Sequence, residues 1–209
     1  MKKKGFTLAE VLITMSIIGI VAALTMPTLT ANTRKKETTA RLKKFYSMMQ
    51  QALISSELEN GMMQDWRIGT ENSYANSKAF FDKYIGPYFK YTNVKQDPDT
   101  TTRTLVLLND GSSFALYRGG CWDILYDING PNKKPNLEGA DIFRFLICPE
   151  QGEKFCGDKE RNFCTYNIAT YNTREKALEA CKTGRYNCSV LLQYDDWEIK
   201  DDYPWPLGR

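Results

Sequence analysis

The stretch GFTLAEVLITMSIIGIVAALTMPTL, residues 5–29, decides how this chain is built. From Phe6 to Leu29 the only charged residue is Glu10. As a helix the run is ~36 Å long at about 1.5 Å per residue, enough to cross a hydrocarbon core of roughly 30 Å. A single membrane span is the plain reading. A cleaved secretory signal is one alternative, because Lys2, Lys3 and Lys4 make a basic opening. Against it, the apolar run is longer than a signal core, carries a charge, and lacks a small-x-small cleavage site before Asn32. A plain anchor is the other alternative, and it leaves Glu10 unexplained, since a carboxylate inside hydrocarbon costs on the order of a few kcal/mol unless paired.

A third reading accounts for more residues. The basic leader ending in Gly5, then Phe6, then Glu10, then an apolar helix containing Gly19 and Pro27 together resemble the N-terminus of type IV pilins and type II secretion pseudopilins. The resemblance covers about the first thirty residues. It implies that a prepilin peptidase cuts between Gly5 and Phe6 and that Phe6 becomes the N-methylated terminus. The implied product is a structural subunit rather than an enzyme, assembled through its N-terminal helix into a type IV pilus or a type II secretion filament. Its implied partners are copies of itself, other pilins or pseudopilins, the peptidase, an inner-membrane assembly platform and the membrane. Its implied location is a single pass through the inner (cytoplasmic) membrane with the head extracytoplasmic, and the filament in the periplasm or at the cell surface. Alternatives are a monomeric membrane-anchored binding protein, a minor pilin for adhesion or DNA uptake, and, last, an anchored enzyme.

On this reading Glu10 has a physical purpose. Cleavage creates an ammonium at Phe6, and methylation keeps its charge. In the apolar centre of a helix bundle an unpaired carboxylate is penalised, whereas one facing a neighbour's ammonium is neutralised and hydrogen-bonded. Glu10 then favours one axial stagger between subunits, as a buried polar residue fixes coiled-coil register. Pro27 cannot donate to the helix ladder, so a kink or local melting is expected near it. One feature points the other way. Arg34, Lys35, Lys36, Arg41, Lys43 and Lys44 follow the span and outnumber the leader's lysines, which by the positive-inside rule would place that side in the cytoplasm.

Four segments are expected: a leader at 1–5, a transmembrane and assembly helix at 6–29, an amphipathic continuation at 30–61, and a globular head at 62–209. In the continuation, Leu42, Phe45, Tyr46, Met49, Ala52, Leu53 and Ser56 recur at three- and four-residue steps, one stripe on which a head can pack, and Gly61 is a natural stop. Residues 65–90 are aromatic-rich and partly helical, ending at Gly86-Pro87. Thr104–Leu108 and Ser113–Arg118 around Asn109-Asp110-Gly111 form the strongest hairpin signal. CWDILYDING places Trp122, Ile124, Tyr126 and Ile128 on one face of a third strand. Val190–Leu192 reads as another strand. The expected fold class is therefore α+β: a long helix packed on a small antiparallel sheet, pilin-like, with disulfides in the head.

The chain has no histidine, which removes the commonest general base and metal ligand. Six cysteines, Cys121, Cys148, Cys156, Cys164, Cys181 and Cys188, all lie in the head. Without a C-x-x-C pair they read as disulfides of an oxidising compartment rather than a zinc site. Six cysteines allow fifteen pairings; Cys156–Cys164 and Cys181–Cys188 are the close pairs. Up to Gly61 there are nine Lys/Arg against four Glu, and beyond it nineteen against twenty-one acids, so the head offers no nucleic-acid footprint. Asp127, Asn129 and Asp141, among glycine and proline turns, are oxygen donors of the kind calcium accepts, although their spacing departs from an EF-hand. Calcium is thus the one candidate cofactor, against a turn-rich structural loop. Asp195, Asp196, Asp201 and Asp202 are candidate cation or partner contacts, or turn formers between buried aromatics.

Overall fold

The structure, a computed structural model, describes residues 5–158 and 160–207, apart from the side chains of Pro27 and Thr28. The leader's residues 1–4 and the chain's last two residues therefore lie outside the described residues, as does any side-chain contact of Pro27.

One helix, α1 (Leu8–Asn60), carries the architecture. Its first part includes a window of mean hydropathy 2.2, none of it buried, long and apolar enough to cross a membrane. The helix itself runs through position 27 as one element. The local melting expected there is not seen, because a proline deletes a single ladder bond and the turns on either side still close. The helix stops at Gly61, whose φ of 79° is one an L side chain adopts at a cost.

The second half of α1 lies on a six-stranded antiparallel sheet in simple sequential order. Its strands are β1 (Asn93–Gln96), β2 (Thr104–Leu107), β3 (Ser113–Arg118), β4 (Trp122–Asp127), β5 (Ile142–Ile147) and β6 (Phe163–Thr165). The expected hairpin and third strand are present, and three further strands enlarge the sheet. The additional strands are β1, which is mostly exposed and has no alternating pattern, β5, hidden in a segment read as a loop, and the three-residue β6.

The pleat sets the core. Val106, Phe114, Tyr126 and Phe143 are successive partners across β2 to β5, all buried on the face toward α1. The predicted stripe meets them: Phe45 stacks on Tyr126 at a centroid distance of 3.9 Å, and Tyr46 lies 5.0 Å from Phe163 and 4.9 Å from Trp197. A helix α2 (Tyr74–Phe80), continued by a wider turn to Ile85, closes one end, stacking Phe80 on Trp122 and Trp66 on Tyr84, each at 4.2 Å.

Leu146 stands between Phe145 and Ile147 and so faces the other way, into a second apolar cluster built by α3 (Gly152–Cys156), α4 (Arg174–Thr183) and α5 (Cys188–Tyr194). The expected strand Val190–Leu192 is part of α5. Its short apolar run fits either period, and burial among the helices behind β5 decides for the helix. The three disulfides are Cys121–Cys148, Cys156–Cys164 and Cys181–Cys188, so both close pairs form. The third follows from strand register: Trp122 pairs with Ile147, which sets Cys121 opposite Cys148 with Cα atoms 4.8 Å apart.

Candidate assembly site

Gly5, Phe6 and Thr7 precede α1. Thr7 is extended, as an N-cap must be, and its hydroxyl accepts from the backbone N–H of Glu10 at 3.3 Å. Glu10 reaches back: its Oε2 accepts the Thr7 backbone N–H at 2.8 Å and the Thr7 hydroxyl at 2.7 Å. This reciprocal capping box satisfies N–H groups that every helix start leaves over. The signal, Thr-x-x-Glu, is readable in the sequence, and Thr7 is the functional residue that the motif-based reading passed over. Glu10 thus starts the helix while remaining exposed to an outside partner.

The surroundings are open. Phe6 is 88% exposed, and no atom lies within 4 Å of where a Cβ on Gly5 or Gly19 would stand. From Leu8 to Leu29 large apolar side chains are exposed all round the helix. The hydroxyls of Thr14, Ser16 and Thr25 are satisfied within the helix: Ser16 donates to Leu12 O and Thr25 to Val21 O, both at 2.8 Å. Among the described side chains of the span, Glu10 is therefore the polar group that resists lipid or another helix. Gly5, Phe6 and Glu10 are brought together at the helix start, whereas Gly19 and Pro27 lie farther along the same rod.

The cations after the span have work inside the chain. Lys35 pairs with Asp201 at 2.9 Å, and Lys44 with Asp110 at 2.6 Å. Arg41 donates to the carbonyls of Ile128 at 3.0 Å and Asp110 at 3.3 Å. Burial alone would raise the Asp110 carboxyl, but Lys44 and Ser112 outweigh it and hold it at about 2. Half of the six cations that run against the orientation rule are thus clamps between α1 and the head.

The loop between β4 and β5 gathers Asp127, Asn129 and Asp141. One oxygen of Asp127 accepts the backbone N–H groups of Asn129 and Gly130 at 3.1 and 3.0 Å. Asp141, fully buried, accepts those of Asn136 at 2.9 Å and Leu137 at 2.6 Å. Desolvation, reinforced by the neighbouring Asp141 charge, pushes Asp127 up to about 6. Calcium asks for roughly six to eight oxygens. Here two carboxylates are engaged by four backbone amides, and among the described residues no three acids, cysteines or histidines gather as a metal-binding group. Each carboxylate thus receives two backbone N–H groups, which ties the turns of the loop together. Three of the four tail acids are paired within the chain: Asp201 with Lys35, Asp195 with Arg174 and Lys200, both at 2.6 Å, and Asp202 with Arg174 at 2.9 Å.

Two family profiles divide the chain. Residues 28–207 match a family of unknown function (DUF6613). The chain belongs to that family. Residues 1–26 match the prokaryotic N-terminal methylation motif, which contains the Gly5–Phe6 junction, Thr7 and Glu10. The motif is that of the type IV pilin and pseudopilin leader, so this DUF6613 member is a pilin-like precursor whose apolar helix serves as a membrane anchor. No curated protein and no solved structure matches the chain. The DUF6613 match holds the clamp, the sheet and all three disulfides of the head, and the methylation motif holds most of the bare span.

Proposed function

We propose that this DUF6613 protein is a structural subunit of a type IV pilus or type II secretion filament, cut after Gly5 by a prepilin peptidase and assembled through α1. The observation that carries the reading is the methylation motif over residues 1–26, set at the start of a helix whose apolar surface is covered by nothing in the monomer. Such a surface is stable only in lipid or against like helices, and a subunit that passes from the first to the second exchanges one apolar environment for the other at little hydrophobic cost.

The charges supply direction. The new ammonium at Phe6 faces the carboxylate of Glu10 on an adjacent subunit, and the pair sets the stagger. The capping box survives cleavage, since the Thr7 N–H is an amide of the Phe6–Thr7 bond. The head is extracytoplasmic in this reading, supported by three disulfides that persist only where thiols are oxidised. The chain needs no catalytic group for this work; its partners are its own copies, related subunits, the peptidase and an assembly platform.

Intact-mass and N-terminal mass spectrometry of the protein from its own cells test the first step. The expected chain begins at Phe6 and carries one extra methyl group, and Gly5→Ala retains the leader. A mature chain that begins elsewhere, or a Gly5→Ala chain cut as efficiently as the parent, would retire the proposal.

A further inference from the structure

Where the head meets the end of the membrane span, α1 and the C-terminal tail enclose a cleft of about 300 Å³. Ala31, Arg34 and Lys35 form the helix wall, and Ile199, Tyr203 and Trp205 are among the residues opposite. Ala31 comes two residues after Leu29, the last residue of the apolar run, so the cleft opens only ~3 Å beyond the hydrocarbon edge. The polar headgroup layer is roughly 5–8 Å thick on each side. The cleft therefore lies at headgroup depth.

Its chemistry suits that depth. The aromatic rings are held by their polar ends: the Tyr203 hydroxyl donates to Gly139 O and the Trp205 indole N–H to Cys181 O, both at 2.7 Å. Arg185 lies 4.0 Å over the Trp205 ring. Ring bodies on rigid supports beside cations are the composition of a membrane interface belt. The acid in the cleft, Asp201, is taken up by Lys35. Arg34, in the wall, has no ion-pair partner among the described residues. Arg34, Lys36 and Lys43 are the cations after the span that the clamp between helix and head does not explain, and of these three Arg34 lines the cleft.

We infer that this cleft seats the anionic headgroup of a phospholipid from the leaflet that borders the head. Arg34 attracts the phosphate, and the aromatic wall takes the adjoining glycerol and the first carbons of the chains. This rests on the anchoring of α1 in the reading above and adds a specific lipid contact, which holds the head upright on the membrane until the subunit is extracted. Each cation near an anionic surface is worth about fivefold in affinity.

The test uses the full chain in nanodiscs of phosphatidylcholine alone or with about one third phosphatidylglycerol, read by amide hydrogen exchange of segment 199–207. Exchange there is expected to slow severalfold with phosphatidylglycerol and to recover in high salt. The variant Arg34→Gln is expected to lose that dependence while β5 keeps its protection. Arg34→Lys should retain it. Equal exchange of the parent protein in both lipids overturns the inference regardless of any variant. So does equal protection in phosphatidylcholine discs with inorganic phosphate added, which would mark a free-anion site. Leader processing and filament formation are scored on the same chain, so one that is processed and assembles without lipid dependence overturns only this inference.

Discussion

Phe45→Ala should come close to unfolding the head while leaving the membrane span untouched. The ring is 2% exposed, stacked on Tyr126 with planes 10° apart, and has Phe114 at 5.7 Å, Phe145 at 5.4 Å and Phe89 at 6.2 Å. Truncating a buried phenylalanine costs about 3–5 kcal/mol, cavity included. A domain of this size is stable by only about 5–15 kcal/mol. At roughly 2–4 °C per kcal/mol for a chain this long, the midpoint should fall by about 6–20 °C. The assay is near-ultraviolet circular dichroism of the detergent-solubilised chain with disulfides intact. Ile54→Ala is the control: that side chain is 60% exposed on the same helix and should stay within about 0.5 kcal/mol. If Phe45→Ala shifted the midpoint no more than Ile54→Ala, the head would not rest on this face of α1, and the shared core described here would be wrong.

Burial raises Asp123 and Asp127 to about 6, above the ordinary 3.8. Folding then favours their protonated forms, and head stability should fall by about 1–2 kcal/mol per group as pH rises from about 4 through 6, levelling off near pH 7. Urea midpoints across that range check it, and Asp127→Asn should flatten part of the slope. Asp110, held at about 2 by Lys44 and Ser112, acts in the opposite sense: its contribution is present above about pH 4 and is lost as pH falls toward 2, and Lys44→Ala should shrink it. For the loop at Asp127 and Asp141, isothermal calorimetry of the chain with calcium should give no saturable heat if the carboxylates serve the four backbone amides that they accept from. Stoichiometric heat abolished by Asp141→Asn would instead establish a calcium site.

The parts of the fold legible in the sequence were those with strong local periodicity. The stripe from Leu42 to Ser56, the Asn109-Asp110-Gly111 hairpin and the alternating face Trp122, Ile124, Tyr126 each carry their own signal, as does the spacing of the two local disulfides. What stayed hidden depends on contacts distant in sequence. β6 is too short to show a period, and β5 has an arginine, Arg144, in the middle of its run. Val190–Leu192 is equally good as strand or helix until the layer behind the sheet buries it. The cations after the span read as a topology signal, since their acidic partners Asp110 and Asp201 lie 66 and 166 residues away. Gly5, Phe6 and Glu10 were legible because a leader motif is local by nature. The Thr7–Glu10 box was equally local, and it gives Glu10 a second role that motif matching does not separate from the first.

That second role makes Glu10→Gln the most direct measurement of the central claim. Glutamine keeps the capping partner at the third helical position and removes only the charge. Filament yield and leader cleavage are measured together, with hydrogen exchange of residues 8–12 reporting the helix start. The account predicts normal cleavage, an unchanged helix start and severe loss of assembly, because no carboxylate remains for a neighbour's Phe6 ammonium. Glu10→Gln chains that assemble as well as the parent would contradict it and leave capping as the whole purpose of Glu10.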